Sequence, residues 1–236
     1  MNQQATAMTA RQLPLSLPHR AAMTRADFLV GEANRAAIAL IDAWPHWPAP
    51  VVLIVGPAGS GKTHLVEIWR TAAGAAVAPA SAVGDVDAMV GNGAVAVEDL
   101  HAGPLDEPAL FHLINRAAER DTALLMTSRK WPSALSLKLP DLASRLRAAR
   151  PVELGEPDDS LLHQVLVKLF ADRQLAVDPT VVEAIVLRME RSLNAASAIV
   201  AELDRAALAE GKAITRSLAV AALARVFDGQ PDLFDE

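Results

Sequence analysis

Val51-Val52-Leu53-Ile54-Val55-Gly56-Pro57-Ala58-Gly59-Ser60-Gly61-Lys62-Thr63 reads as three parts in series. The first five residues form an unbroken apolar run, the pattern of a strand buried on both faces of a parallel sheet. A loop from Gly56 through Gly61 follows, and residues 62–70 read as the helix into which it opens. Glycines at 56, 59 and 61 let the backbone turn so that successive N–H groups point inward at an anion. The N-terminus of the following helix adds partial positive charge at the same place. Lys62 is then positioned to reach the β- and γ-phosphates of a nucleotide, and Thr63 to offer its hydroxyl to Mg²⁺. Gly56, Pro57, Ala58, Gly59, Ser60, Gly61, Lys62 and Thr63, with His64 beside them, are therefore expected to hold ADP or ATP together with Mg²⁺.

Outward from this stretch, short strands are expected at residues 75–78, 94–97, 123–127 and 151–154. Helices are expected at 32–44, with Ile38 and Ile41 on one face, and at 107–120. Strands alternating with helices imply an α/β unit built on a parallel five-stranded sheet with right-handed crossovers. After Gly155 the strand signals stop. Residues 158–173, 179–189, 194–209 and 215–226 all carry helical periodicity, and Asp178 before Pro179 is a good helix start. The expected division is a tail at 1–24, a nucleotide-binding α/β domain at 25–155, a helical lid at 156–227 and a short tail at 228–236.

Composition narrows the possibilities. Of 236 residues, 52% are hydrophobic, enough for a sizeable core. There is no cysteine, which excludes disulfides and thiolate chemistry and fits a reducing cytoplasm. No apolar run reaches the roughly 18 residues that a membrane span needs, and the polar N-terminus lacks the apolar core of a signal peptide. A net charge of −6 argues against direct, sequence-specific DNA binding, although Arg145, Arg147 and Arg150 make a local basic cluster.

A phosphate loop needs an acid at the end of a neighbouring strand. Glu98 and Asp99 close the strand at 94–97, and adjacent residues of an extended chain point to opposite sides. Glu98 is the better metal partner and Asp99 the better candidate to orient a water. Thr127 and Ser128 close the next strand, where hydroxyls either sense a terminal phosphate or begin a turn. The six histidines show no paired metal spacing, and Trp44, Trp47, Trp69 and Trp131 are scattered along the chain with no base-stacking platform.

The order of phosphate loop, acidic strand end, polar strand end, Leu139-Pro140-Asp141-Leu142-Ala143-Ser144-Arg145-Leu146 and helical lid resembles the AAA+ ATPases, and within them the DnaA family. The segment Pro140–Leu146 looks especially like that of Hda-type proteins, DnaA-related regulators that inactivate the replication initiator. The resemblance implies that Arg145 is an arginine finger, supplied in trans to a neighbour's nucleotide. It also implies that Gln12, Leu13, Leu15 and Leu17 dock on the DNA polymerase III sliding clamp (its β subunit). The glutamine would bond at a pocket rim, the leucines would bury, and the prolines would keep the peptide extended. The implied partners are thus DnaA and the clamp, with room for a homo-oligomer, and the helix-turn-helix domain of DnaA is expected to be missing.

Three positions depart from the family pattern. Glu98 stands where aspartate is usual, and Arg129 stands where an aspartate is expected after the strand-end hydroxyls. The lid arginine that normally touches the γ-phosphate matches either Arg191, with extra residues downstream, or Asn194 without a gap. Hydrolysis in the chain's own site is therefore in question, whereas nucleotide binding is not. The rival readings are an autonomous ATPase that remodels a replication partner, in the manner of a helicase loader, and a DnaA-like DNA-binding module.

Overall fold

The computed structural model describes residues 23–211 and 213–227; the docking peptide expected at 12–17 and the tail at 228–236 lie outside them. The elements run α1 (Arg35–Asp42), β1 (Val51–Val55), α2 (Lys62–Ala73), β2 (Ala76–Pro79), α3 (Val86–Val90), β3 (Ala94–Glu98), α4 (Glu107–Glu119), β4 (Ala123–Ser128), α5 (Pro140–Ala148) and β5 (Arg150–Glu153). Four helices follow: α6 (Asp159–Asp172), α7 (Pro179–Val186), α8 (Leu193–Glu210) and α9 (Arg216–Phe227).

The five strands form one parallel sheet in the order β2-β3-β4-β1-β5. Alternation along each strand divides its side chains between two cores. Leu53, Val55, Val95, Val97, Leu124 and Met126 meet α3, α4 and α5 on one face. Val52, Ile54, Ala94, Ala96, Ala123 and Leu125 meet α1 and α2 on the other. That second face is rich in alanine, which lets α2 approach closely with Leu65, Ile68 and the fully buried Trp69. The tryptophans that look scattered in the sequence are partly gathered here: the Trp47 and Trp69 rings stack at 4.8 Å, and Trp44 meets both edge-on. They serve the core, and Trp131 alone is exposed.

The expected strands are present with ends shifted by a residue. The expected helix at 32–44 begins instead with a 3₁₀ turn (Glu32–Asn34), because the Asn34 side chain accepts from Gly31 N and donates to Leu29 O, both at 2.9 Å. Two further helices, α3 and α5, lie where the sequence carries no clear helical period. Asp85 caps α3 through Ala88 N, and Pro140 opens the first turn of α5.

Helices α6 to α9 enclose a separate core that includes Leu162, Leu166, Phe170, Ile185, Ile199 and Leu203. Their starts are written locally, with Asp158 capping Leu161 N, Asp178 capping Thr180 N and Ser192 capping Ala195 N. Among the described residues no helix is long and apolar enough to cross a membrane.

Candidate nucleotide site

The carboxyl ends of β1, β3 and β4 meet at one place, because the parallel register sets Val55 beside Ser128 and Val97 beside Met126. Gly56 N donates to Ser128 O at 3.1 Å, so the glycine loop starts against the end of β4. Within the loop Gly59 and Gly61 adopt φ of 66° and 102°, values that L side chains rarely reach. Lys62, only 7% exposed, turns back beneath the loop and donates to the carbonyls of Gly56 and Pro57, each at 2.7 Å.

A cavity of about 280 Å³ opens between this loop and the helical lid. Ala58, Gly59, Gly61, Lys62, Thr63, Asp99 and Arg129 line its polar end. Phe28, Leu29, Leu161, Val165 and Leu169, from the N-terminal segment and α6, supply an apolar wall suited to a base. Lid and loop are joined directly, since Leu193 N donates to Gly59 O at 2.8 Å. The Lys168 ammonium bridges Asp27 at 2.8 Å and Asp172 at 2.7 Å, tying α6 to the N-terminal segment. The Lys168 and Thr24 hydrogen bonds hold the Asp27 carboxyl down to about 2.

Close packing of lid on loop makes Gly59 the tightest point. A Cβ there would collide with the Ser192 side chain that caps α8. Gly59→Ala is expected to cost about 1–3 kcal/mol from left-handed strain plus that collision, read as a lowered urea midpoint.

Burial, then the charge of Arg129, lowers the Lys62 ammonium to about 8, with Asp99 and Glu98 acting in the opposite sense. Between that value and the ordinary 10.5 the folded chain binds fewer protons than the unfolded one, so stability rises with pH through this window. Phosphate binding runs the other way, because a bound anion favours the ammonium. ADP affinity should therefore be nearly flat from pH 7.5 to 8 and fall by up to about tenfold per pH unit above that. Calorimetry at stepped pH checks this, with Lys62→Arg removing the slope.

Asp99 sits at φ 62° immediately after β3, held by a bond from its N–H to the buried Thr127 hydroxyl at 3.0 Å, and its side chain lines the cavity. Half-buried Glu98 faces the α2 side, where burial raises its pKa and the Thr63 hydroxyl works against that rise. No group of three or more His, Asp or Glu residues suited to a metal occurs among the described residues. Mg²⁺ needs no such cage, since it keeps waters and takes one or two carboxylates with substrate phosphates; Thr63 and Asp99 line the cavity, whereas Glu98, expected as the metal partner, lies behind Thr63 and is not part of the lining.

Thr127 and Ser128 are fully buried. Their hydroxyls accept from Asp99 N and Lys130 N, both at 3.0 Å, and Arg129 rather than either of them lines the cavity. His64 forms part of the wall, with its Nε2 3.0 Å from Thr24 O and its ring edge-on to Phe28. Burial lowers its pKa, so a neutral imidazole donates to that carbonyl. Of the two lid alternatives, Asn194 lines the cavity, whereas Arg191 pairs with Asp159 at 2.9 Å.

Arg145 lies in the last turn of α5, exposed and outside the cavity. Ion pairs among the described residues engage many arginines, but neither Arg129 nor Arg145. The roles of Asp27 and Lys168 were not legible beforehand, since nothing local links two residues so far apart in the chain. Arg129 did leave a signal, as an arginine where the resemblance expects an acid.

No protein-family model matches the chain. An uncharacterized protein of Haemophilus influenzae is 29% identical over 180 residues, which is 70% of this chain and 78% of that protein. Among solved structures, domain III of the replication initiation protein DnaA from Thermotoga maritima is similar with a TM-score of 0.72 at 18% identity, covering 85% of this chain and 95% of that one. AMPPCP-bound DnaA from Aquifex aeolicus gives 0.64 at 19% identity over 78% of this chain and 65% of that one. The RuvB Holliday junction branch migration motor of Thermotoga maritima gives 0.64 at 17% identity, over 88% and 73%. At such identities the likeness establishes the fold alone: a parallel five-stranded sheet followed by a helical region, as in DnaA domain III and RuvB.

Proposed function

We propose that this AAA+ chain is an Hda-type regulator of chromosome replication, which docks on the sliding clamp and promotes hydrolysis of ATP bound to DnaA. One observation carries the reading: Arg145 stands exposed on α5, outside the chain's own cavity and with no ion-pair partner among the described residues. An unpaired guanidinium at that position is available to a neighbour's phosphates, where it stabilises charge developing in the transition state. The likeness to DnaA domain III supports a partner of the same architecture.

The chain's own cavity, in this reading, holds ADP or ATP as a structural element between the α/β domain (25–155) and the lid (156–227). The loop amides, Lys62 and the wall around Phe28 and His64 bind it, and Asp99 faces its phosphates. Thr63, with Glu98 behind it, would hold Mg²⁺, which would supply charge neutralisation there. Hydrolysis there is slow, because Thr127 and Ser128 are engaged with the backbone and the lid presents Asn194. The protein works in the cytoplasm. The cavity-facing Asp99 favours a second reading, an autonomous ATPase acting on a replication partner.

The test is hydrolysis of DnaA-bound ATP with and without this protein and DNA-loaded clamp; acceleration only when both are present is expected. Replacing Gln12 and Leu17 with alanine should abolish co-elution with the clamp and that acceleration, while thermal unfolding stays unchanged. Undiminished co-elution would place the docking peptide elsewhere.

A further inference from the structure

We infer that the groove between α1, α2 and the N-terminal segment holds residues 13–17 of this same chain, so that a partner must lift that peptide away before binding it. Under the function proposed above, that partner is the clamp. The groove has a volume of about 960 Å³ and lies beside the nucleotide cavity, with which it shares only Met23. Its apolar lining is Met23, Ile41, Trp44, Ile68 and Ala72. Ile41 and Ile68 are already buried in the core beneath. That leaves exposed Met23, half-buried Trp44 and exposed Ala72 for an apolar occupant to cover.

The point where the chain meets the groove decides the occupant. Met23, Thr24 and Arg25 themselves line it, so residues 1–22 lead directly away from it. That point is fixed from both helices. Arg25 donates to Asp42, at the end of α1, through Nε and Nη2, each at 2.8 Å, and His64 of α2 donates from Nε2 to Thr24 O at 3.0 Å. Residues 18–22 separate Leu17 from Met23, a link as long as a short hairpin connection, and it opens on Pro18. The peptide can therefore turn back onto the groove that it leaves. Leu13, Leu15 and Leu17 alternate with Pro14 and Ser16, and on an extended backbone alternate side chains share one face. A link this short sets an effective concentration on the order of millimolar, so weak apolar contact keeps the leucines seated. Any partner that needs the same leucines then binds with its affinity reduced by the fraction of chains in which they are free.

The experiment is methyl NMR of the full chain, parent against Ala72→Arg, with clamp titration of both and thermal unfolding as the control. Ala72 is exposed on α2, so arginine there leaves the fold intact. It fills the groove and repels a segment, residues 1–22, that carries Arg11 and Arg20 and no acid. The parent should show contacts from the Leu15 and Leu17 methyls to the Ile68 methyls and the Trp44 ring. Ala72→Arg should lose them and bind the clamp at least threefold more tightly. Absence of those contacts in the parent, their survival in Ala72→Arg, or equal measurable clamp affinity in the two chains would overturn the inference. So would contacts seen only between differently labelled copies, which would seat a second copy's peptide in the groove. Clamp binding by neither chain, with the contacts present in the parent, would instead sink the docking reading and leave the peptide in its groove.

Discussion

Arg145→Ala is expected to lower the stimulated hydrolysis of DnaA-bound ATP by about a thousandfold or more, the usual scale for losing an arginine finger. Clamp binding and the chain's own nucleotide affinity should stay near parental values, because Arg145 lies outside the cavity and far along the chain from the proposed docking residues 12–17. The fold should tolerate the change as well. The side chain is exposed and has no ion-pair partner among the described residues, and the buried anchors of α5 are Leu142 and Leu146. Lysine at this position should rescue little, since a point charge cannot reproduce a planar two-pronged contact. A quenched-flow or filter assay on preloaded DnaA reads the effect.

The second large effect belongs to the chain's own site. Lys62→Ala should weaken ADP and ATP binding by about a hundredfold, the scale of losing a charge-assisted phosphate contact. The loss has two sources. The ammonium itself disappears, and the Gly56 and Pro57 carbonyls lose the donor that shapes the loop beneath the phosphates. Calorimetry with each nucleotide checks it, and unchanged affinity for both would remove the loop from the site.

The sheet was legible in the sequence because strands buried on both faces must be continuous apolar runs, and Val51–Val55 and Ala94–Glu98 are nearly that. Helix α5 was harder. It buries only Leu142 and Leu146 among charged neighbours, too little periodicity to announce a helix. α3 spans a single turn and a half, shorter than any reliable pattern. The glycine loop was legible because its chemistry is contiguous. What completes the cavity is not contiguous: the Asp27–Lys168 bridge, the Leu193–Gly59 bond and the His101–Arg129 bond join residues brought together only by folding. Sequence left Arg191 and Asn194 as alternatives because a gap could be placed either way. In the fold Arg191 pairs with Asp159 on the surface and Asn194 lines the cavity. The three clustered tryptophans make the same point, since their spacing carries no hint that Trp44, Trp47 and Trp69 share one core.

In the proposed function this chain acts on a neighbour's nucleotide and not on its own. A single-turnover label swap tests it most directly. γ-Labelled ATP is loaded on DnaA in one arm and on this chain in the other, and phosphate release is followed after mixing with DNA-loaded clamp. Rapid release of the label carried in by DnaA, with retention of the label carried in by this chain, is expected. Rapid release from this chain, with the label on DnaA unaffected, would contradict it.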